Sequence, residues 1–455
     1  MKNIKNFAKG ILSCALMLIT SNVMAENQYP EGSPVAINGK LKVENGTMVN
    51  ECGYPTQLRG MSTHGLAWNQ NTYNESSIKA LVEDWHVSIF RIAVYTHEWG
   101  GYCKTQEDNP SQFWKTKDEY HELIDNLVDI CGKYGIYCLI DWHVLNEGSG
   151  NPLTTLEDAK IFWDYMSKKH AGEDHVIYEI CNEPNGSSGS WANIKKYADT
   201  IIPLIRENDP NTIVVCGTPS WSQNVNEAAN SPLSEEYGNV MYTLHFYSGT
   251  HKLALRKVGD AAIKKGLALF VTEFGTTNSD GNGTVNTTET DNWMNWMDKN
   301  NISWCNWSFS DKSESSAALK SGSANSQNWN NVSTSGEYIK SKLAEPNTFV
   351  ACTDTTPYYE APVEETEEVK DTTSVKEVDG AANVVLYPNP SDDGSFSIKS
   401  PFEVEKVAVL DLSGRELEVF EKSNTIYITH NLMKGVYLVK VYGSKFVTVK
   451  RFVKN

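Results

Sequence analysis

The chain has 455 residues, 40% apolar and 21% charged, a globular composition and too long for one ordinary domain. Its formal net charge of −17 leaves no basic stripe to neutralise phosphates, which argues against a nucleic-acid partner and suits a neutral ligand. The 13 tryptophans and 21 tyrosines serve the core, and their flat faces also suit ligands such as sugar rings.

Residues 1–25 read as a secretory signal peptide. Lys2, Lys5 and Lys9 precede a short apolar run over 11–19, and Val23-Met24-Ala25 offers small residues for cleavage after Ala25. The run is too short to span a bilayer permanently. Cys14 lies inside it, the wrong place for a lipid anchor. Eight cysteines remain in an exported chain, where disulfides are permitted. Cys131, Cys138, Cys181, Cys216 and Cys305 fall in apolar segments and read as free buried thiols. Cys52, Cys103 and Cys352 lie in looser segments and are the bridge candidates. No Cys/His spacing suits zinc and no glycine loop suits a phosphate, so neither metal nor organic cofactor is expected.

From 30 to 350 short apolar strands alternate with amphipathic helices. The strands are expected at 57–63, 88–95, 136–142, 176–182, 212–217, 240–246, 268–274 and 302–309. Helices include 75–85, 118–134, 157–169, 192–207 and 288–300. In the second, Leu123, Leu127, Ile130 and Tyr134 recur at helical spacing. Eight βα units predict a closed (β/α)8 barrel of the α/β class; a doubly wound sheet is the alternative, without its glycine fingerprint. Residues 351–383 carry acids but few lysines and no amphipathic period, and read as an acidic, self-repelling linker. Residues 384–455 alternate apolar and polar residues between glycine turns, the pattern of a small all-β sandwich.

In a barrel the chemistry sits where strands end. Those positions hold His64, Arg91, Tyr95, Asp141-Trp142-His143, Asn182-Glu183, His245, Tyr247, Glu273 and Trp307. Glu183 and Glu273 end the fourth and seventh strands, so they face each other across the mouth. Such a pair is what glycoside cleavage needs: one carboxylic acid to protonate the leaving oxygen, one carboxylate to act at the anomeric carbon.

Seven motifs in order, "LRGMSTHGLAW", "FRIAVY", "LIDWH", "YEICNEP", "MYTLHFY", "VTEFGTTNSDGNG" and "WCNWSFSDKSESSAAL", resemble glycoside hydrolase family 5, in particular its endo-β-1,4-glucanases. The resemblance implies retention of configuration, with Glu183 as general acid/base and Glu273 as nucleophile. It implies that Asn182 binds the sugar 2-hydroxyl, that Arg91 keeps Glu273 ionised and that Tyr247 donates to Glu273. His143 and His245 would bind hydroxyls or tune the acid. Trp307 would stack on a sugar face, with His64, Trp68, Asn69 and Tyr95 lining further subsites. Lys312 and Glu314 would contact the glucose beside the scissile bond. Phe274 departs from the family, which often has Trp there. Read alone, Glu179 is structural, and Asp141 supports His143 by a hydrogen bond. Mannan, xyloglucan or mixed-linkage glucan are rival substrates, and a non-catalytic glycan-binding protein is the rival class.

"LYPNP", "LDLSGREL" and "LMKGVYLVKV" resemble the C-terminal sorting domain of the type IX secretion system. A carbohydrate-binding module would expose aromatic platforms, and residues 384–455 contain no Trp. The expected partners are therefore a β-glucan and the export machinery of a Gram-negative bacterium, with the enzyme a monomer.

Overall fold

Side chains along each central strand alternate between two apolar clusters, and that alternation builds the fold. In the computed structural model Ile89, Tyr137, Leu139, Ile177, Val215 and Phe270 join one cluster, while Phe90, Ile92, Cys138, Ile140, Tyr178 and Val271 join another with the helices. A sheet apolar on both faces has to be covered on both, so it closes on itself inside a ring of helices. The structure describes residues 29–352 apart from 67, 70, 99 and 105–114, and beyond them the strands and some connecting residues between 385 and 454. The signal peptide, and the linker from residue 353 onward, lie outside the described residues.

The barrel strands are β1 (Arg59–Ser62), β2 (Ile89–Tyr95), β3 (Tyr137–His143), β4 (Val176–Glu179), β5 (Val214–Cys216), β6 (Val240–Thr243), β7 (Leu269–Gly275) and β8 (Trp304–Trp307). Each runs parallel to the next, and β8 returns to β1. The helices that follow in turn are α1 (Glu75–Glu83), α2 (Lys117–Tyr134), α3 (Leu156–Lys169), α4 (Trp191–Asn208), α5 (Val225–Asn230), α6 (Leu253–Ile263), α7 (Thr287–Lys299) and α8 (Thr334–Leu343). The fold is the expected (β/α)8 barrel.

The details differ where local chemistry intervenes. Helix α2 starts at a capping box between Thr116 and Glu119 and stops at Gly135, whose φ of 68° favours glycine and where a Cβ would run into the Ser33 side chain. Its buried residues are Tyr120, His121, Ile124, Leu127, Val128, Ile130 and Cys131, so of the four positions read from the spacing Leu127 and Ile130 are buried while Leu123 and Tyr134 lie at the edge. Strand β4 ends at Glu179 rather than 182. From there the backbone leaves the ladder: Asn182 N donates to Trp142 O (3.2 Å) and Glu183 N to Val144 O (3.0 Å). The chain also passes so close to Gly217 that a Cβ there would lie 2.2 Å from Cys181 O.

A hairpin of Lys42–Glu44 and Thr47–Val49 lies at the strand N-terminal end of the barrel, where Val43 N takes Asn239 Oδ1 at 2.9 Å. Beside it Cys52 bonds Cys352, 300 residues away, with Cα atoms 5.5 Å apart. Cys103 is free, and so are the five buried thiols expected to be.

The second unit, Tyr359–Asn455, holds two antiparallel sheets. Val385–Tyr387, Ser395–Lys399 and Tyr427–Ile428 form one; Val404–Leu410, Glu416–Glu421, Gly435–Gly443 and Phe446–Lys454 form the other. Leu386, Phe396, Val407, Val409, Val439, Val441 and Phe452 share its core, as a sandwich requires.

Candidate active site

Arg91 sits at the centre of the barrel, wholly buried. Its Nε donates to Glu179 Oε2 (2.7 Å), its Nη2 to Asn182 Oδ1 (2.7 Å), and its Nη1 to Ser62 Oγ (3.2 Å) and Glu273 Oε2 (3.3 Å). Asp141 Oδ2 lies 2.9 Å from Nη2 and also 2.6 Å from His143 Nδ1. Asp141 therefore does support His143, as its place two residues upstream suggested.

Glu273 reaches the mouth because the β7–β8 register shifts between Val271 and Phe274. The bulge lets neighbouring residues face the same way, so Thr272 stays in the barrel while Glu273 is re-aimed upward. Phe274 points outward and stacks on Phe246 at 5.0 Å, with Trp304 edge-on at 5.6 Å. The family departure at this position is thus a packing change behind the carboxylate. Tyr247 Oη donates to Glu273 Oε1 at 2.8 Å. His245 Nδ1 meets Glu183 Oε1 at 2.9 Å. Oxygens of Glu183 and Glu273 and a ring nitrogen of His245 all lie within 4.8 Å of one another. A cation held by these three would break the Glu183–His245 bond.

Three carboxyl groups thus bind one guanidinium, with that of Glu183 close by, and the four cannot all be ionised at neutral pH. Burial pushes Glu183 up to about 8, with Arg91 pulling it down and Asp141 and Glu179 pushing it up. Burial, then the charge of Glu183, lifts Glu273 to about 7 against the pull of His245, Arg91 and Tyr247. Burial also raises Asp141 to about 7 and raises Glu179, both against Arg91. Arg91 does lie beside Glu273 and pulls it towards the carboxylate, but its charge is divided among three acids and burial pushes the other way. Burial drives His245 down to about 4 and His64 to about 3, and His143 well below its ordinary value, so the imidazoles are neutral.

A cavity of about 480 Å³ opens above this layer. Its wall includes His64, Tyr95, His143, Glu183, His245, Tyr247, Glu273, Trp307, Lys312 and Glu314. Trp307 stacks against His143 at 5.3 Å. Lys312 Nζ lies 2.6 Å from Glu314 Oε2 and 3.2 Å from His64 Nε2. Arg91 and Asn182 lie beneath the floor. Asn182 Nδ2 makes two long bonds, of 3.3 Å each, to His143 Nε2 and Val144 O. Trp68 and Asn69 stand behind His64, with Trp68 5.3 Å from its ring and Asn69 Nδ2 3.1 Å from its Nδ1.

The wall also holds residues that sequence reading missed: Trp221, Gln223, His251 and the turn around Asp280. Trp221 is 47% exposed and follows β5, whose end carries no polar signal. Ser220, Trp221 and Ser222 all have positive φ (61°, 57° and 54°), which costs about 1–2 kcal/mol per residue. Trp221 N donates to Pro184 O (3.0 Å) and Ser222 Oγ to Asn182 O (2.6 Å), so the Asn182–Pro184 segment holds this turn in place. The exposed Trp in "TPSWSQN" was the available clue.

Residues 49–313 match the cellulase family, glycosyl hydrolase family 5. The chain belongs to that family. Residues 385–455 match the secretion system C-terminal sorting domain, which makes the tail an export address. An endoglucanase of Clostridium saccharobutylicum is 43% identical over 349 residues, which cover 75% of this chain and 74% of that protein. Endoglucanase A of Evansella cellulosilytica is 42% identical over 74% of this chain and 65% of its own length. Among solved structures, Cellulase Cel5C_n is similar with 61% identity and a TM-score of 0.68, covering 71% of this chain and 98% of that one. The catalytic domain of Thermobifida fusca endoglucanase Cel5A, in complex with cellotetraose, has 36% identity and a TM-score of 0.61, covering 69% and 99%. The family 5 glycosidases retain anomeric configuration, so the two-carboxylate chemistry read from the motifs is that of the family.

Proposed function

We propose that this chain is a secreted endo-β-1,4-glucanase, in which Glu273 is the nucleophile and Glu183 the general acid/base. The observation that carries the reading is the approach of Glu183 and Glu273 oxygens to within 4.8 Å at the barrel mouth. Retaining enzymes hold their carboxyl groups about 5–5.5 Å apart, and inverting ones leave room for a water. The endoglucanase names of the relatives and the cellotetraose bound to one of them support a β-1,4-glucan as substrate.

In the first step Glu273 attacks the anomeric carbon. The carbon–Oε bond forms as the glycosidic bond breaks, and Glu183 gives its proton to the departing oxygen. In the second step the Glu183 carboxylate takes a proton from water. The water oxygen displaces Glu273, which restores both side chains. Tyr247 and Arg91 favour Glu273 as the member of the pair that ionises first. Trp307 supplies a flat face for a sugar ring, and Lys312 with Glu314 polar partners for its neighbour. The long Asn182 bonds are the ones that a 2-hydroxyl would replace. Residues 1–25 act as the signal peptide and 384–455 as the sorting domain, joined to the barrel by the acidic linker, and the enzyme works as a monomer.

Reducing-end release from cellulose, mannan, xyloglucan and mixed-linkage glucan tests the substrate. Hydrolysis of mannan without cellulose would overturn the glucanase reading, and binding without release would favour a glycan-binding protein. Azide tests the roles: Glu183→Ala yields a β-glycosyl azide and Glu273→Gly an α-azide. Swapped anomers would reverse the assignment.

A further inference from the structure

His245 touches the proposed acid on one side, and a chain of fixed donors runs away from its other side. Its Nε2 lies 2.9 Å from Thr272 Oγ1 on β7. Thr272 Oγ1 donates to Glu179 Oε1 on β4 at 2.6 Å, and Thr243 Oγ1 on β6 reaches the same oxygen at 3.3 Å. Arg91 Nε occupies the other Glu179 oxygen.

With Glu179 held as the carboxylate by Arg91 Nε at 2.7 Å, proton counting along this chain leaves one arrangement. Arg91 Nε can only donate, so Glu179 accepts there, and its second oxygen accepts from the two threonines. A threonine hydroxyl has one proton. Thr272 spends it on Glu179 and offers His245 a lone pair only. The imidazole, neutral in this buried setting, must then carry its single proton on Nε2, which leaves Nδ1 bare towards Glu183. A bare nitrogen attracts a carboxylic O–H and repels a carboxylate.

We propose that Thr272 and Glu179 are positioning residues that lock His245 as its Nε2–H tautomer, so that Glu183 remains loaded with the proton it delivers. The inference rests on the reading of Glu183 as the acid. The same bare Nδ1 serves the second step, since a carboxylate facing it is the more ready to take a proton from water. The charged and titratable groups facing His245 are Glu183 and Glu179 from β4 and its extension, Glu273 from β7, Arg91 from β2 and His143 from β3. Glu273 and Glu179 favour an imidazolium, Arg91 opposes it, and burial decides against it.

Glu179→Gln reverses the chain without changing its shape. The amide oxygen must face Arg91 Nε, so its NH2 faces Thr272. The Thr272 hydroxyl then turns to donate to Nε2, and the imidazole proton moves to Nδ1, where it stabilises the Glu183 carboxylate. Thr272→Val removes the acceptor altogether and does not touch Arg91. Thr272→Ser keeps it. The measurement is kcat/KM against pH for aryl β-cellobiosides with good and poor phenol leaving groups.

The expected result is an alkaline limb about one pH unit lower in Glu179→Gln and Thr272→Val, with about tenfold loss above it on the poor leaving group. The dinitrophenyl substrate, whose leaving group needs no proton, keeps its rate, and Thr272→Ser keeps the wild-type limb. Equal losses on both substrates with an unmoved limb would overturn the inference. Should Glu179→Gln fail to fold, the Thr272 pair decides alone. Glu183→Ala separates the two levels: without a steep leaving-group dependence in that variant, the acid assignment itself fails. If Glu183→Ala is steep and Thr272→Val matches the wild type, only the tautomer lock fails.

Discussion

Arg91 Nε donates to Glu179 Oε2 over 2.7 Å at the centre of the barrel, and neither side chain is reached by solvent. This contact is closer than the 3.3 Å from Arg91 to Glu273, so the guanidinium is seated by the residue that takes no part in bond making. Arg91→Lys keeps the charge but loses the planar fork that serves Glu179, Asp141, Asn182 and Glu273 together. The expected outcome is a loss of kcat of at least about 100-fold. Arg91→Ala leaves buried acids uncompensated and lowers stability by about 3–5 kcal/mol. Steady-state kinetics and thermal unfolding at one pH check both.

The rate profile follows from the same crowding. Glu273 must be ionised and Glu183 protonated, so kcat/KM rises as Glu273 loses its proton near 7 and falls as Glu183 loses its own near 8. The two limbs belong to the pair rather than to either residue. A narrow optimum between about 7 and about 8 is expected. Tyr247→Phe removes the 2.8 Å bond that favours the Glu273 carboxylate, and moves the acid limb upward. Stability carries the opposite slope. These carboxyls titrate higher folded than unfolded, so the stability they contribute is whole below about pH 4 and is lost as pH rises through about 7 to 8. Glu183→Gln therefore melts higher than the wild type at pH 8, with the gap closing towards pH 4. An equal gap at both pH values would contradict the assignment of the titrating group.

The barrel and most of its polar rim were legible because both rest on local signals. Apolar runs mark staves, and a His, Arg or Glu at a stave's end stands out. Glu273 could be read from "VTEFG" alone, although the bulge that aims it could not, since a bulge is a property of two paired strands. The role of Glu179 was hidden for a similar reason. Its sequence neighbours are apolar, and its partners Arg91, Thr243 and Thr272 come from three other strands. Trp221 escaped because β5 ends without a polar residue and its turn is held by the backbone of the Asn182–Pro184 segment.

Trp221 stands exposed on the cavity wall, so its ring is free to cover a sugar. Trp221→Ala should raise KM for cello-oligosaccharides that extend past the reacting sugars, with kcat/KM down by about 3–10-fold. Short aryl glycosides, which do not reach it, should be hydrolysed at the wild-type rate. Equal effects on both would mean that the loss acts through the strained turn rather than through stacking.

The Cys52–Cys352 bond closes the chain at the end of the barrel away from the cavity. It joins the turn after the Thr47–Val49 strand to the segment where Asn50 Nδ2 also holds Val350 O at 2.8 Å. A cross-link over so long a loop acts mainly on the unfolded chain, and its loss in Cys52→Ser should cost about 2–5 kcal/mol. Turnover at 25 °C should not change, because no catalytic side chain contacts this end. Calorimetry with and without reductant, together with activity on one preparation, checks both statements.

The tail has a core of its own, to which Leu386, Phe396, Val439 and Phe452 belong. The barrel's clusters are built from described residues of its own unit. Removing residues 384–455 should therefore leave kcat/KM on soluble glucan and the barrel's melting temperature within error of the full chain. In cells the same deletion should stop export, since the removed residues are those matching the sorting domain. Fractionation of the producing cells tests that half. A truncated enzyme that is pure and folded yet weak on insoluble cellulose, while normal on soluble glucan, would show instead that the tail binds polysaccharide.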